Sequence, residues 1–117
     1  MPAHILILDD DSAILEMLRF ALEREGGYRV TISQILFEDL AEIIHLHPDL
    51  ILLDFTFGGR QRGWDYLQQL KLHRATEHIP VLLCTAALRD VQEQEAVLKL
   101  VKQCLAHPSS SDEKPSR

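Results

Sequence analysis

Four acidic residues follow apolar stretches at two separate places in the sequence. Asp9, Asp10 and Asp11 directly follow the first stretch, and Asp54 directly follows the second. Carboxylates that are held close together repel one another, so such a cluster calls for a compensating charge. A hard divalent cation is the natural candidate, since Mg²⁺ uses one or two carboxylates plus waters. The alternative is that these acids are solvated loop residues, and for Asp11 we favour a helix-capping role.

The elements that position these acids are short apolar runs. Ile5–Leu8, Leu50–Leu53 and Ile79–Leu83 are apolar at almost every residue, which is typical of strands buried on both faces in a parallel sheet. Tyr28–Ser33 alternates and predicts an edge strand. In open parallel sheets, ligands bind beyond the carboxyl ends of the strands. The acids and Thr85 are the residues expected at those ends.

The segments between these runs have apolar residues at helical spacing. Apolar residues three and four apart predict helices over Ser12–Glu25, about Phe37–Leu46, Trp64–His73 and about Leu88–Ala106. Strand and helix therefore alternate along the chain. This alternation predicts an α/β fold with a parallel sheet and right-handed crossovers.

Composition sets outer bounds on the function. The 117 residues, 46% hydrophobic and 26% charged, suit one globular domain, which we assign to residues 1–107, with a disordered polar tail at 108–117. The net charge of −6 argues against direct nucleic-acid binding. No apolar run predicts a membrane span and no signal peptide is evident. Cys84 and Cys104 lack metal-site spacing, which favours reduced thiols in a cytoplasmic protein.

Three segments together resemble the receiver domains of two-component response regulators. Residues 5–11 resemble the first strand and its acid pair, and residues 48–54 resemble the third strand, which ends in the phosphoacceptor aspartate. Residues 79–86 resemble the fourth strand, which ends in a Thr/Ser-Ala pair. The resemblance covers residues 4 to about 90. It implies a flavodoxin-like, doubly wound parallel sheet with helices on both faces.

The resemblance also implies a site and a reaction. Asp54 would accept a phosphoryl group from a sensor histidine kinase or a phosphotransfer protein. Asp9, Asp10, Asp54 and the backbone carbonyl of Thr56 would hold Mg²⁺, and the Thr85 hydroxyl would contact the phosphoryl group. Such a module catalyses at most its own phosphorylation and dephosphorylation. It would signal through a downstream partner protein.

The loop after Asp54 departs from the family pattern. It has no proline, Gly58 stands in the proline's place, and the final glycine, Gly63, arrives one residue late. Because glycine is conformationally permissive, this substitution predicts a looser loop.

A larger departure lies beyond Ala87. One helical stretch stands where the family has a fourth helix, a fifth strand ending in Lys-Pro, and a fifth helix. The sheet order is therefore expected to be 2-1-3-4 without the fifth strand, and neither Lys99 nor Lys102 matches the family lysine. The fourth strand becomes an edge, which favours a homodimer through residues 79–105.

Two functional hypotheses follow. The first is a Mg²⁺-dependent phosphoacceptor module, favoured by Asp9, Asp10, Asp54 and Thr85. The second is a degenerate receiver that serves as a phosphorylation-independent interaction or dimerisation module, favoured by the missing strand and lysine.

Overall fold

The structure is a computed structural model that describes residues 2–59, 61–84 and 91–106. Three sequence predictions fall outside this range: the position of Thr85, the first residues of the last helix (88–90) and the polar tail (108–117).

A parallel sheet forms the centre of the molecule. Its strands are β1 (His4–Leu8), β2 (Arg29–Ser33), β3 (Leu50–Asp54) and β4 (Val81–Cys84). All neighbouring strands are parallel, and their order is β2-β1-β3-β4. This order confirms the predicted doubly wound, flavodoxin-like sheet.

Helices cover both faces of the sheet. They are α1 (Ser12–Gly26), α2 (Ala41–Leu46), α3 (Arg62–Leu72) and α4 (Val91–Ala106), with a short 3₁₀ turn at Phe57–Gly59. None of these described helices has both the length and the apolar content that a membrane crossing requires.

The strands β1 and β3 are buried at every residue, which explains their unbroken apolar runs. Alternate side chains enter two separate core clusters. Ile5 and Leu50 belong to the cluster that α1 and α4 cover, whereas Leu6 and Ile51 belong to the cluster beneath α2 and α3. Because both faces are packed, the carboxyl ends of β1 and β3 are fixed against each other.

The second helix is shorter than predicted. The spacing predicts a start near Phe37, but α2 begins at Ala41. The carboxylate of Asp39 accepts the N–H of Ala41, the first residue of the helix, at 2.9 Å, which satisfies one of the free N–H groups of the first turn. The backbone carbonyl of Phe37 accepts the hydroxyl of Tyr66 at 2.8 Å. Residues 34–40 lie outside the helices and strands, and Ile44 on α2 is 36% exposed.

The last helix packs most of its described apolar side chains against the core. Val97 and Val101 are buried, and Leu98, Cys104 and Leu105 pack against the same cluster. Leu100, by contrast, is 43% exposed.

The fourth strand pairs with β3 on one side. All four of its residues are half-buried, and the described residues contain no fifth strand beyond it. The predicted edge is therefore present in this part of the chain. Cys84 on this strand and Cys104 are free thiols.

Gly63 allows α3 to begin directly against the end of β3. A Cβ at this position would overlap the backbone carbonyl oxygen of Asp54 and would lie 2.8 Å from that of Phe55. Since both obstacles are backbone atoms, they cannot move aside as a flexible side chain could. Gly63 thereby lets the helix fix the position of Asp54.

We predict that Gly63→Ala lowers the free energy of unfolding by about 1–3 kcal/mol, the usual cost of overpacking. Helix propensity alone would raise the free energy of unfolding by about 1 kcal/mol. A decrease on substitution therefore identifies the steric clash. The matched control is Gly27→Ala, which has a left-handed φ of 67° but no atom within 4 Å of the new Cβ and should lose only about 1–2 kcal/mol. Urea unfolding measures both. A Gly63→Ala protein as stable as the wild type would contradict the role assigned to Gly63.

Candidate functional site

The acidic residues meet at the carboxyl edge of the sheet. Asp54 ends β3, and Asp9 directly follows β1, its neighbour in the sheet. Side-chain oxygens of Asp9, Asp10 and Asp54 all lie within 4.8 Å of one another. Asp9 and Asp54 are only 7% and 6% exposed, whereas Asp10 is exposed. The structure therefore brings together the three acids singled out from the sequence.

Backbone groups hold the first two carboxylates in place. Asp9 Oδ1 accepts the N–H of Asp11 at 2.9 Å, and Asp10 Oδ2 accepts the N–H of Gly58 at 3.1 Å. The amide nitrogen of Gln34 donates to the backbone carbonyl of Asp10 at 3.2 Å. The end of β1 is thus tied both to the loop after β2 and to the loop after β3.

Gly58 joins the loop after Asp54 to the acid cluster. Its φ of 71° lies in the left-handed region that favours glycine, and in this conformation its N–H donates to Asp10. A proline has no N–H to donate and cannot adopt this φ. The residue that departs from the family pattern is therefore joined to the acid cluster. The sequence feature that pointed to this residue is the position of Gly58, four residues after Asp54, where the family has a proline.

Asp54 is oriented by the residue two positions further on. Its Oδ1 accepts the backbone N–H of Thr56 at 3.2 Å and the Thr56 hydroxyl at 3.4 Å. The N–H of Phe55 donates to the carbonyl oxygen of Cys84 at 2.9 Å. The end of β4 therefore lies beside the loop that carries Asp54. A Thr85 contact to the phosphoryl group stays a prediction, because Thr85 lies outside the described residues.

The electrostatics of the cluster indicate excess negative charge. Burial raises the pKa of Asp9 to about 6, the N–H of Asp11 opposes the shift, and the charges of Asp54 and Asp10 add to it. The pKa of Asp54 is also raised, mainly by burial and then by Asp10, against the hydrogen bond from Thr56. Burial raises the pKa of the Cys84 thiol to about 11, and the charges of Asp9 and Asp54 add to the rise.

The chemistry of this donor set fits a divalent cation. Three carboxylates offer oxygen ligands within 4.8 Å of one another, and two of them are buried. Burial is the main cause that raises the pKa values of Asp9 and Asp54, and the charges of neighbouring carboxylates add to the rise. A hard cation with oxygen ligands would supply positive charge that balances the carboxylates.

Lys99 and Lys102 lie elsewhere, as expected from their sequence context. Both line a small depression of about 100 Å³ with Gly26 and Tyr28, at the C-terminal end of α1. This end of α1 faces away from the carboxyl edge of the sheet, since the helix begins beside the acids.

Comparisons with known proteins agree with this geometry. The model of the response regulator receiver domain family matches residues 5–114. The chain is 38% identical over 82 residues to the phosphate regulon transcriptional regulatory protein PhoB of Pseudomonas aeruginosa. It is 37% identical over 91 residues to the DNA-binding dual master transcriptional regulator RpaA of Synechocystis. These alignments cover 70% and 78% of this chain but only 35% and 36% of the relatives, so the chain spans about a third of their length.

Solved structures show the same fold. A CheY-like receiver domain protein from Methanospirillum hungatei superposes with a TM-score of 0.75 at 25% identity, covering 95% of this chain and 99% of the other. The signal receiver domain of a DNA-binding response regulator from Colwellia psychrerythraea gives a TM-score of 0.70 at 27% identity, covering 90% and 99%. The chain belongs to the response regulator receiver domain family.

We predict that the stability of the metal-free protein falls as the pH rises from about 4 through about 6. The folded pKa of Asp9 is raised above its ordinary value of 3.8, so the folded state binds more protons than the unfolded state in this window. The stabilising contribution of protonated Asp9 is complete below the unfolded pKa and is lost as the pH passes the folded pKa.

The variant Asp9→Asn should show a shallower fall and should be more stable than the wild type at neutral pH. Its amide oxygen can still accept the N–H of Asp11. The matched control is Asp11→Asn, because Asp11 caps α1 through Ala13 and Ile14 and asparagine caps equally well. Urea unfolding over a pH series in chelator measures the three proteins. Identical pH profiles for wild type and Asp9→Asn would contradict the electrostatic account of the cluster.

Proposed function

We propose that this chain is the receiver module of a two-component phosphorelay and that it accepts a phosphoryl group on Asp54. The observation that carries the proposal is the convergence of three carboxylates at the carboxyl edge of the sheet, within 4.8 Å. A cluster of acids that binds no ligand would lower the stability of the fold and serve no function. A site that must bind a cation and a phosphoryl group explains why this cost is tolerated.

Asp54 is the nucleophile in this proposal. Thr56 holds Oδ1 with two donors, so Oδ2 is the oxygen that attacks phosphorus. The new Oδ2–P bond forms as the N–P bond of the donor's phosphohistidine breaks, and the imidazole of the donor leaves with the electron pair. The packed strand β3 and Gly63 keep the carboxylate in one position during this displacement.

Asp9, Asp10 and Asp54 are the proposed ligands of Mg²⁺, together with the backbone carbonyl of Thr56. When bound, the ion neutralises charge on the phosphoryl oxygens during transfer. Asp10 is held by the N–H of Gly58 and Asp9 by that of Asp11. These backbone donors keep the ligand oxygens oriented before any ion arrives.

The proposed phosphodonor is a sensor histidine kinase or a phosphotransfer protein in the cytoplasm. Membership of the receiver family supports this class of donor. The output is proposed to pass through a partner protein, and the Thr85 hydroxyl is proposed to contact the phosphoryl group.

Asp54 is predicted to be the sole phosphorylation site. Incubation with acetyl phosphate and Mg²⁺ should add the mass of one phosphoryl group to the wild type, as measured by intact mass spectrometry. The adduct should be released by hydroxylamine, since it is an acyl phosphate. The adduct should be absent from Asp54→Asn and retained by the matched control Asp11→Asn. An equal mass gain in wild type and Asp54→Asn would exclude Asp54 as the acceptor.

A second candidate function is that of a phosphorylation-independent interaction module that forms a homodimer through residues 79–105. The observation that favours it is the edge of β4, where the described residues provide no further strand. Unpaired strand edges promote association with another chain. On α4, Leu100 is 43% exposed and offers an apolar side chain within the same segment, 79–105.

Light scattering at micromolar concentration should give twice the monomer mass of 13.4 kDa. Leu100→Glu should return the protein to a monomer, whereas Phe20→Glu on α1, where Phe20 is 62% exposed, should not. A monomeric wild type would contradict the dimer without affecting the phosphoacceptor proposal.

A further inference from the structure

A continuous groove runs between α3 and the segment formed by the loop after β2 and α2. It consists of three adjoining depressions of about 700, 270 and 530 Å³. The first two share Leu36, Phe37 and Arg62, and the last two share Glu38 and Gln69. The groove follows α3, whose eleven residues span about 16 Å. This length matches roughly three turns of a docked helix.

Several apolar side chains line the groove and are open to solvent. Leu36 and Phe37 are half-buried in it, while Ile44 and Leu72 are 36% and 84% exposed. Ile35, at the entrance beside the acid cluster, is 65% exposed. Exposed apolar side chains gathered in one depression are typical of interaction sites.

The rim of the groove is acidic. Four exposed acids line it: Glu38, Asp39, Glu42 and Asp65. None of them forms an ion pair with the described residues, where the one salt bridge joins Arg19 to Glu16 on α1. Arg62 is the single lysine or arginine among the described lining residues. The rim therefore carries a net negative charge toward a molecule that binds in the groove.

We propose that this groove binds a basic amphipathic α-helix of a partner protein. Apolar residues three and four apart would lie on the floor, and lysine or arginine residues on the flanks would meet the acidic rim. A charged rim of one sign favours partners of the opposite sign and repels acidic ones.

A second copy of this chain fits the groove poorly. On α4, Lys99 and Lys102 flank Leu100, and on α1, Arg24 lies over the ring of Phe20. Among the described residues, each of these helices offers one large exposed apolar side chain, which cannot cover apolar residues that extend from Leu36 to Leu72. The partner helix must instead carry a full apolar stripe.

The groove ends beside the candidate site. Gln34 lines this end and donates to the backbone carbonyl of Asp10. Phe57 lines it as well and precedes Gly58, which donates to the Asp10 carboxylate. A partner helix would thus lie next to the acids without covering the other face of the sheet.

The test uses a fluorescein-labelled peptide of about four helical turns built from leucine and lysine, with leucines at the spacing of one helix face. Fluorescence anisotropy at physiological salt should show that it binds the wild type. A peptide with glutamate in place of every lysine should not bind. Binding of both peptides alike would overturn the proposal, because the acidic rim would then have no role.

Two pairs of variants localise the binding. Glu38→Lys with Glu42→Lys should weaken binding at least about tenfold, whereas Glu23→Lys with Glu25→Lys on α1, which changes the net charge equally, should leave it unchanged. Leu72→Ser should also weaken binding, and Phe20→Ser should not.

Equal loss in both charge variants would reduce the effect to non-specific attraction and overturn the proposal. The proposal would also be overturned if the wild type self-associates and the variant with Glu38→Lys and Glu42→Lys does not. In that case the groove would bind a second copy of this chain.

Discussion

Three carboxylates lie within 4.8 Å of one another at the carboxyl edge of the sheet, and the packing of the strands holds them there against their mutual repulsion. Asp9 and Asp54 follow neighbouring strands whose residues are buried on both faces, so the two carboxylates cannot move apart without disrupting the core. Burial of the apolar strands supplies the favourable free energy that offsets this repulsion. Burial is the main cause that raises the pKa values of both acids, and the charges of neighbouring carboxylates add to the rise. In the proposed function, a cation and a phosphoryl group are the chemical partners of this site.

The backbone after β3 is shaped by this cluster. Thr56 donates to Asp54, Gly58 donates to Asp10, and Gly63 admits α3 against the carbonyl of Asp54. Thr56 and Gly58 each hold a carboxylate through a backbone N–H, and Gly63 leaves room for α3 beside the backbone of Asp54. The glycine that stands in place of the family's proline therefore provides a hydrogen bond that proline cannot make.

The central strands and the meeting of the acids could be predicted from the sequence, since unbroken apolar runs identify buried strands and parallel strands bring their carboxyl ends to one edge. The start of α2 could not, because the loop before it is held by the hydrogen bond from Tyr66 to the carbonyl of Phe37, which joins residues 29 apart in sequence. The role of Gly58 was missed for a related reason: a left-handed φ and the direction of an N–H are set by the folded loop. The groove was missed because an irregular loop forms one of its walls.

Binding of Mg²⁺ to the acid cluster should change the free energy of unfolding. Denaturant unfolding is compared in chelator and in Mg²⁺ for the wild type, Asp10→Asn and Asp11→Asn. At a hundredfold excess over the dissociation constant, the wild type should gain roughly 2.7 kcal/mol. Asp11→Asn should retain most of this gain, and Asp10→Asn should lose most of it. A wild-type protein whose free energy of unfolding is the same in chelator and in millimolar Mg²⁺ would contradict the account.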